Sequence, residues 1–337
     1  MRPRDVVRWL LIVGLLAAAT GDDARAELPS FPTAMHAIEA PELVSPLLVE
    51  DHPPQADEFI VGEEVGGYEE YAAESPGLFD EEHEPWGWQC LPDGIVYPAY
   101  LAGTKESRIG GTLIDVDGHG WFLDATLGGR AGLIRYGTIG DDRPRGWQLD
   151  IEGAAFPRLD LEDERDLRSA DFRIGLPLTY AAGNWQYKLA AYHLSSHVGD
   201  EFLLKNPGFT RVNYCRDAVV LGAAYRVLNA VRLYGEAGWA FNNSGGSEPW
   251  EFQFGAEYSP AWRDAPGGMP FLAANVHLRE ELDYGGHVTL QAGWQWRSDN
   301  SGHLVRLGLE YLQGKSPQFE FFRDPEEYLG LGLWYDF

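Results

Sequence analysis

Among the last ten residues, Tyr328–Phe337, every second residue is large and apolar. The large members are Leu329, Leu331, Leu333, Tyr335 and the terminal Phe337, and the residues between them include Gly330, Gly332 and Asp336. Because successive side chains of a β-strand point to opposite faces, one face of this segment is apolar and the other is small or polar. Such a strand fits either the wall of a membrane barrel or a half-buried edge of a soluble sandwich.

A closing strand that ends on a bare aromatic carboxy terminus resembles the signal by which bacterial outer-membrane barrels are recognised for assembly. That resemblance implies the outer-membrane assembly machinery as a partner, contacted through the strand that ends in Phe337.

The amino terminus predicts export. Arg2, Arg4 and Arg8 precede an apolar run over Trp9–Ala19, and Ala24–Ala26 forms a small-x-small cleavage site. This pattern indicates a cleaved signal peptide over residues 1–26. Nothing downstream approaches a run of about 18 apolar residues, so the exported chain is expected to be soluble or to form a barrel.

The net charge of −26 argues against nucleic-acid binding, which requires a basic surface. The acidity is concentrated in residues 27–85, which hold sixteen carboxylates and neither lysine nor arginine. This segment is also rich in proline and has no sustained strand or helix period. We therefore predict a disordered, acidic periplasmic arm over residues 27–85.

Residues 86–337 are predicted to form one barrel domain. Trp86–Ser107 is expected to be a packed segment, and amphipathic strands follow it to the end, for example Trp185, Tyr187 and Leu189 opposite Gln186 and Lys188. Forty glycines and many aromatic residues are typical of a barrel with an apolar outer face and a polar interior. The sequence thus predicts an all-β fold, an antiparallel transmembrane β-barrel of about 12 strands located in the outer membrane.

The polar faces of these strands carry both signs of charge. Their charged members are Arg232, Glu236, Glu251, Glu257, Arg279, Glu281, Arg306 and Glu310. In a narrow barrel, opposite charges so placed pair and fill the interior, which argues against a wide general porin.

One stretch carries candidate chemistry. His193 and Ser195 share the parity of the apolar face of their strand, so we expect them on the outer wall. If Ala191 pairs near Val219, Asp217 lies beside His193, and a shifted register brings Asn213 there instead. A serine nucleophile, a histidine base and an Asp or Asn that orients the base would then meet, which is the logic of a hydrolytic triad.

This arrangement resembles outer-membrane phospholipase A and the outer-membrane lipid A deacylases, barrels with a His-x-Ser pair on the exterior wall. The resemblance implies His193 as base, Ser195 as nucleophile, Asn213 or Asp217 as the orienting group, and membrane lipid as substrate. It also implies calcium as a cofactor, for which Asp200 and Glu201 offer oxygen ligands. The competing interpretation is that these polar residues only cap strand ends and order a loop.

Residues 86–337 also resemble an uncharacterised bacterial family of barrel-like proteins, the domain-of-unknown-function 1207 family. The matching stretches are Leu91–Gly94, Leu127–Arg130, His193–His197, Asn213–Asp217, Tyr234–Glu236 and Glu248–Trp250. This resemblance implies a location and no activity.

Three functions therefore stay open. A structural or narrow transport barrel is the default expectation, and an outer-leaflet lipid acyl hydrolase is the alternative. The third is a non-catalytic binding barrel that uses the acidic arm to hold cationic or periplasmic partners. A disulfide between Cys90 and Cys215 is an open question, since it depends on geometry.

Overall fold

The computed structural model of the chain describes residues 85–140, 143–227, 230–260, 267–298 and 301–337. The signal peptide predicted over residues 1–26 and the acidic arm predicted over 27–85 lie outside the described residues, apart from Pro85.

Antiparallel strands make up most of the described chain. They are β1 Trp86–Cys90, β2 Ile109–Val116, β3 Gly120–Thr138, β4 Gly146–Asp160, β5 Asp166–Ala182, β6 Trp185–Val198, β7 Cys215–Val227, β8 Val231–Ser244, β9 Trp250–Tyr258, β10 Met269–Arg279, β11 Gly285–Arg297, β12 Leu304–Lys315 and β13 Pro325–Asp336. One short helix, α1, covers Asp200–Lys205, and 3-10 turns cover Glu280–Leu282 and Phe319–Phe321. No helix among the described residues is long and apolar enough to cross a membrane.

The twelve strands β2–β13 close into a barrel. Each pairs with its neighbours in sequence, and β13 returns to pair with β2, with Tyr335 opposite Ile109. The additional strand β1 pairs with the end of β3, where Trp86 lies opposite Thr138. Closure leaves no long unpaired edge, as a membrane barrel requires. The predicted fold class and the predicted count of about 12 strands are confirmed.

The outer face of the barrel is apolar. Leu331 and Leu333 of β13 are 54% and 56% exposed, whereas Trp334, the next residue, is 4% exposed. A soluble sandwich would bury these leucines between two sheets, so this exposure excludes the sandwich. Trp334 turns inward and packs against Phe271. Gly332 is required here because a Cβ at that position would collide with the Trp334 ring.

The lumen is filled by residues 91–108, here called the lumen segment. Leu91 has a positive φ of 49°, and the chain after it runs inside the barrel until β2 begins. Lumen side chains hold its backbone: Gln186 donates to the Val96 carbonyl at 2.7 Å and Arg232 to the Pro98 carbonyl at 2.9 Å. The packed segment expected over Trp86–Ser107 is therefore a short wall strand followed by this internal segment.

The two rims differ. The rim where β2 begins and β13 ends is called the terminal rim, and the opposite one the distal rim. Long connections, including Gly199–Tyr214 with α1 and Ser316–Asp324, lie at the distal rim, whereas Gly183–Asn184 at the terminal rim is a tight turn. Cys90 lies next to the terminal rim and Cys215 at the distal rim, and both are free thiols.

Candidate functional site

The candidate site lies on the outer face of β6, where that strand reaches the distal rim. Its inward residues Tyr192, Leu194 and Ser196 are 7%, 2% and 1% exposed. Because side chains alternate along the strand, His193 and Ser195 between them point outward. Polar, ionisable side chains on a lipid-facing wall are costly and mark functional positions more often than packing ones.

The register between β6 and β7 decides which residue meets His193. Ala191 pairs with Val219, so His193 lies opposite Asp217 and Ser195 opposite Cys215. The His193 Nδ1 and Asp217 Oδ1 atoms are 2.6 Å apart, and the two side chains are 47% and 28% exposed. Of the two registers considered from the sequence, the structure has the one that brings Asp217 to the histidine.

This contact selects one tautomer of His193. An ionised carboxylate only accepts hydrogen bonds, so the Nδ1–H of His193 donates to Asp217. The neutral ring then carries its lone pair on Nε2, the nitrogen that is left to accept a proton. This is the arrangement a general base needs, with the carboxylate holding the ring and the opposite nitrogen open.

Asp217 is held from a second side by Asn242 of β8, whose Nδ2 donates to Oδ2 at 2.7 Å. The β7–β8 register shifts between Asp217 and Ala218, so that β8 carries an additional residue, Phe241, at this point. Such a bulge re-aims the side chains that follow it. Strict alternation from Trp239 places Asn242 on the inner face, which is why sequence reasoning missed this residue.

Ser195 lies two residues beyond His193 on the same face, roughly 7 Å along the strand. Its hydroxyl makes no hydrogen bond to any residue that the structure describes. His197 continues the same face on the other side of Ser195, and its ring centroid is 5.9 Å from that of Phe172. Two imidazoles therefore flank one hydroxyl on the outer wall.

Asn213, the other candidate for the orienting group, is not beside His193. It precedes β7 in a left-handed conformation with φ of 53°, and its backbone N–H donates to Glu320 at 2.9 Å. Asn213 therefore orders the distal-rim loop against the Phe319–Phe321 turn.

Asp200 and Glu201 occupy the first turn of α1, where carboxylates favour a helix start. The end of α1 is tied down by Lys205, which contacts both Asp163 and Asp166 at 2.6 Å. These hydrogen bonds raise the pKa of the Lys205 ammonium above its ordinary value.

Two adjacent carboxylates do not fit calcium, which prefers six to eight oxygen ligands. In the described part of the chain, no group of three or more His, Cys, Asp or Glu side chains is placed to hold a metal ion.

A second concentration of charge lines the lumen. Its buried ion pairs are Lys105–Asp171 at 2.5 Å, Arg130–Asp150 at 2.5 Å, Arg158–Asp124 at 2.6 Å, Lys188–Glu236 at 2.5 Å, Arg232–Glu257 at 3.4 Å and Arg306–Asp336 at 2.7 Å. The expected pairing of inward charges is thus present. A cavity beside the lumen segment measures only about 50 Å³, room for a few water molecules at most.

Known structures share the barrel architecture. An active-site mutant of outer membrane phospholipase A from Escherichia coli aligns with a TM-score of 0.46 at 12% identity, covering 71% of this chain and 90% of that one. A calcium-bound dimer of outer membrane phospholipase from Salmonella typhi gives 0.46 at 11% identity, covering 71% and 91%. A porin mutant from Rhodopseudomonas blastica gives 0.30 at 12% identity, covering 68% and 99%.

No curated protein matches the sequence. A family profile does match, over residues 111–337, which span the barrel strands from within β2 to the carboxy terminus. Both resemblances expected from the sequence are therefore found. On the strength of that match, the chain belongs to the family described as "protein of unknown function (DUF1207)".

Proposed function

We propose that this protein is an outer-membrane acyl hydrolase that cleaves an ester of a membrane lipid on the outer wall of its barrel. The observation that carries the proposal is the His193–Asp217 contact of 2.6 Å on the outward face, with Ser195 two residues away on the same face. A packing role does not account for a hydrogen-bonded His–Asp pair and an unengaged hydroxyl directed toward lipid.

The His193–Asp217 contact supports the following roles. Asp217, held by Asn242, keeps Nδ1 of His193 protonated, so Nε2 removes the proton from the Ser195 hydroxyl. The Ser195 oxygen attacks the acyl carbonyl and forms a tetrahedral oxyanion, for which His197, two residues along the same face, is the candidate hydrogen-bond donor. The imidazolium of His193 then gives its proton to the leaving alcohol, and an acyl-serine remains.

Water completes the reaction. His193 removes a proton from a water molecule, the resulting hydroxide attacks the acyl-serine carbonyl, and the proton returns to the Ser195 oxygen as the fatty acid leaves. The enzyme ends in its starting state, and the net reaction adds one water molecule across one ester bond.

Substrate reaches this site sideways from the bilayer. The site faces outward near the distal rim, which carries the longest connection between the barrel strands β2–β13, Gly199–Tyr214, and long loops lie on the extracellular side of outer-membrane barrels. The lumen segment and the buried ion pairs argue against a solute pathway through the barrel. Assembly through the strand that ends in Phe337 and a calcium requirement remain further proposals, and a structural or transport function has no positive observation in its favour.

The test uses refolded barrel in mixed micelles or vesicles of phospholipid, with and without added calcium. Release of fatty acid is measured for the wild type, Ser195→Ala and His193→Ala. Matched controls are Ser301→Ala and His119→Ala, which change the same residue types at a half-buried and an exposed turn outside the site. We expect ester cleavage in the wild type and both controls and its loss in both site variants.

Equal fatty-acid release from the wild type and both site variants would contradict the proposal. So would its absence from the wild type under both calcium conditions. A separate measurement addresses transport: planar bilayers containing the protein are expected to show no steady single-channel conductance.

A further inference from the structure

The barrel wall has an interruption beside β3. The strand β2 pairs with β3 only as far as Leu127, and β1 pairs with it only from Ile134 onward. Between these points the described residues provide one backbone hydrogen bond at each end, from Gly128 to Arg108 and from Leu91 to Leu133. The lumen segment leaves and rejoins the wall at this place, so the wall is incomplete over Gly129–Gly132.

A cavity of about 810 Å³ lies at this interruption and extends across the outer face of the neighbouring strands. It is here called the wall groove. Its apolar outward members include Ile151, Phe172 and Ile174, which are 40%, 45% and 56% exposed. His193 lines it on β6, and Phe337 lines it at the opposite side. The groove is therefore continuous with the candidate site.

The strand registers explain its course. His193 pairs with Ile174, Ile174 with Gly153, and Gly153 with Gly129, so these residues form one row across β6, β5, β4 and β3. Two of the four members lack a side chain, which lowers the floor of the groove between Ile174 and Phe337. The Phe337 ring lies at the end of this row, because a Cβ added to Gly129 would be 3.0 Å from that ring.

We propose that the wall groove binds one long acyl chain of a membrane lipid whose ester lies at His193 and Ser195. This inference rests on the proposed hydrolase function and specifies its substrate as a long-chain lipid ester. Water-soluble short-chain esters would reach the serine without using the groove.

Length and environment support this occupant. Three strand spacings separate His193 on β6 from Gly129 on β3, which amounts to roughly 14 Å at about 4.8 Å per spacing, and the Phe337 ring lies beside Gly129. One leaflet of a bilayer core is roughly 15 Å thick, half of about 30 Å, so the groove matches an extended acyl chain that starts at the ester. The exposed strand residues Ile151, Phe172 and Ile174 make the floor of the groove apolar where it faces the hydrocarbon, in which acyl chains are the surrounding medium, while the exposed Asp93 and His193 lie among its other lining residues.

Gly153→Leu tests the proposal directly. A Cβ at Gly153 would lie 3.4 Å from the Arg173 carbonyl oxygen and 4.0 Å from Ile174 Cγ1, both ordinary contacts, so the first atom of a side chain fits without moving the strand. The added leucine would occupy the floor of the groove. The matched control is Gly235→Leu on the outer face of β8, where the Cβ would lie 3.8 Å from Phe254 Cβ.

The first readout is the dependence of kcat/KM on acyl-chain length, measured with a palmitoyl and a butyryl ester of the same alcohol. For Gly153→Leu we expect at least about a tenfold loss on the palmitoyl ester and less than about a twofold change on the butyryl ester. Gly235→Leu is expected to change neither. An equal loss on both esters, or no loss on either, would overturn the acyl-chain assignment and leave the hydrolase proposal standing.

The second readout does not depend on turnover. Barrel carrying Ser195→Ala is placed in vesicles that contain a phospholipid with a photoactivatable acyl chain, illuminated and mapped by mass spectrometry. We expect labelling concentrated at Ile151 and Ile174 and its loss when Gly153→Leu is added. Uniform labelling around the barrel, or cross-links to a second copy of the chain at the groove, would overturn the inference. Concentrated labelling in a protein that never cleaves esters would instead retire the hydrolase proposal and retain the groove.

Discussion

The lumen and the outer wall of this barrel both carry charged side chains, but these side chains differ in their burial and in their hydrogen-bond partners. In the lumen, Arg306 and Asp336 are 0% and 9% exposed, and Arg306 also donates to Gln291 and to the Leu101 carbonyl. On the outer wall, His193 and Asp217 are 47% and 28% exposed. The lumen arginine uses its donors in contacts within the protein, whereas Nε2 of His193 is left open.

This difference separates a structural use of charge from a chemical one. A buried ion pair is tolerated only when further hydrogen bonds satisfy its remaining donors and acceptors, so a lumen pair has little capacity left for a substrate. The wall pair makes few further contacts within the protein, namely the His193–Asp217 contact and one hydrogen bond from Asn242, so its loss removes little from the barrel. We therefore expect substitutions on the wall to change activity and substitutions in the lumen to change stability.

The largest effect is expected from Asp217→Asn. An amide in place of the carboxylate can donate to Nδ1, which favours the tautomer with the proton on Nε2 and removes the base. We expect kcat to fall by about 1,000-fold to 10,000-fold, with the free energy of unfolding changed by less than about 1 kcal/mol. Ester hydrolysis and urea titration of tryptophan fluorescence measure the two quantities on the same preparation. Retained activity would mean that the His193–Asp217 contact has no catalytic role.

Arg306→Ala makes the opposite test in the lumen. The substitution removes partners from Asp336, Gln291 and the lumen segment at once, although Arg108 still lies 3.2 Å from Asp336. We expect a loss of about 3 kcal/mol in the free energy of unfolding and unchanged activity per folded barrel.

The control for this experiment is Arg226→Ala. Arg226 is on the same inner face, and its guanidinium makes no hydrogen bond or ion pair with any described residue. It should cost much less stability than Arg306→Ala. Equal destabilisation by both variants would show that the lumen contacts of Arg306 do not contribute to the free energy of unfolding.

A smaller effect is expected from Tyr100→Phe in the lumen segment. The Tyr100 ring stacks on Tyr234 with centroids 3.8 Å apart, and its hydroxyl donates to Glu236 at 2.7 Å. Phenylalanine keeps the stacked ring and removes the hydroxyl, while Lys188 remains on Glu236. We expect a loss of about 1–2 kcal/mol in the free energy of unfolding. Tyr187→Phe, on the exposed outer face, is the matched control and should change it by less than about 0.5 kcal/mol.

The fold was predictable because its signal is repeated in every strand. Alternation places Leu331 outward and Arg306 inward independently of tertiary detail, so strand count, outer face and polar interior all follow. The path of residues 91–108 did not follow, since a segment without a period can lie inside or outside the barrel. Its position depends on contacts between residues far apart in sequence, such as Gln186 with the Val96 carbonyl.

The candidate site was predictable only as far as the alternation held. His193, Ser195 and Asp217 lie on regular strands, and a single register assumption brings them together. The alternation of side chains along the strands could not show whether Asn213 or Asn242 lies at the site. The first lies in an irregular loop with a left-handed backbone, and the second follows a bulge that reverses its face. A bulge leaves no dependable mark in one sequence, because a slip of one residue exchanges every inner and outer assignment after it.

Asn242→Ala is the finest test of the difference between wall and lumen, because it asks whether the bulge serves the site. The Nδ2 donor fixes one oxygen of Asp217 while the other holds His193, so its loss lets the carboxylate rotate away from the productive geometry. We expect kcat to fall by about tenfold with KM unchanged, since Asn242 positions the base and has no place in substrate binding. Asn243→Ala, the next residue along the strand, is the matched control and should leave both constants unchanged. The contrary result would be a loss of about 1.4 kcal/mol in the free energy of unfolding, the equivalent of a tenfold effect, with kcat unchanged. The hydrogen bond from Asn242 would then stabilise the pairing of β7 with β8, and the bulge would serve the barrel and not the site.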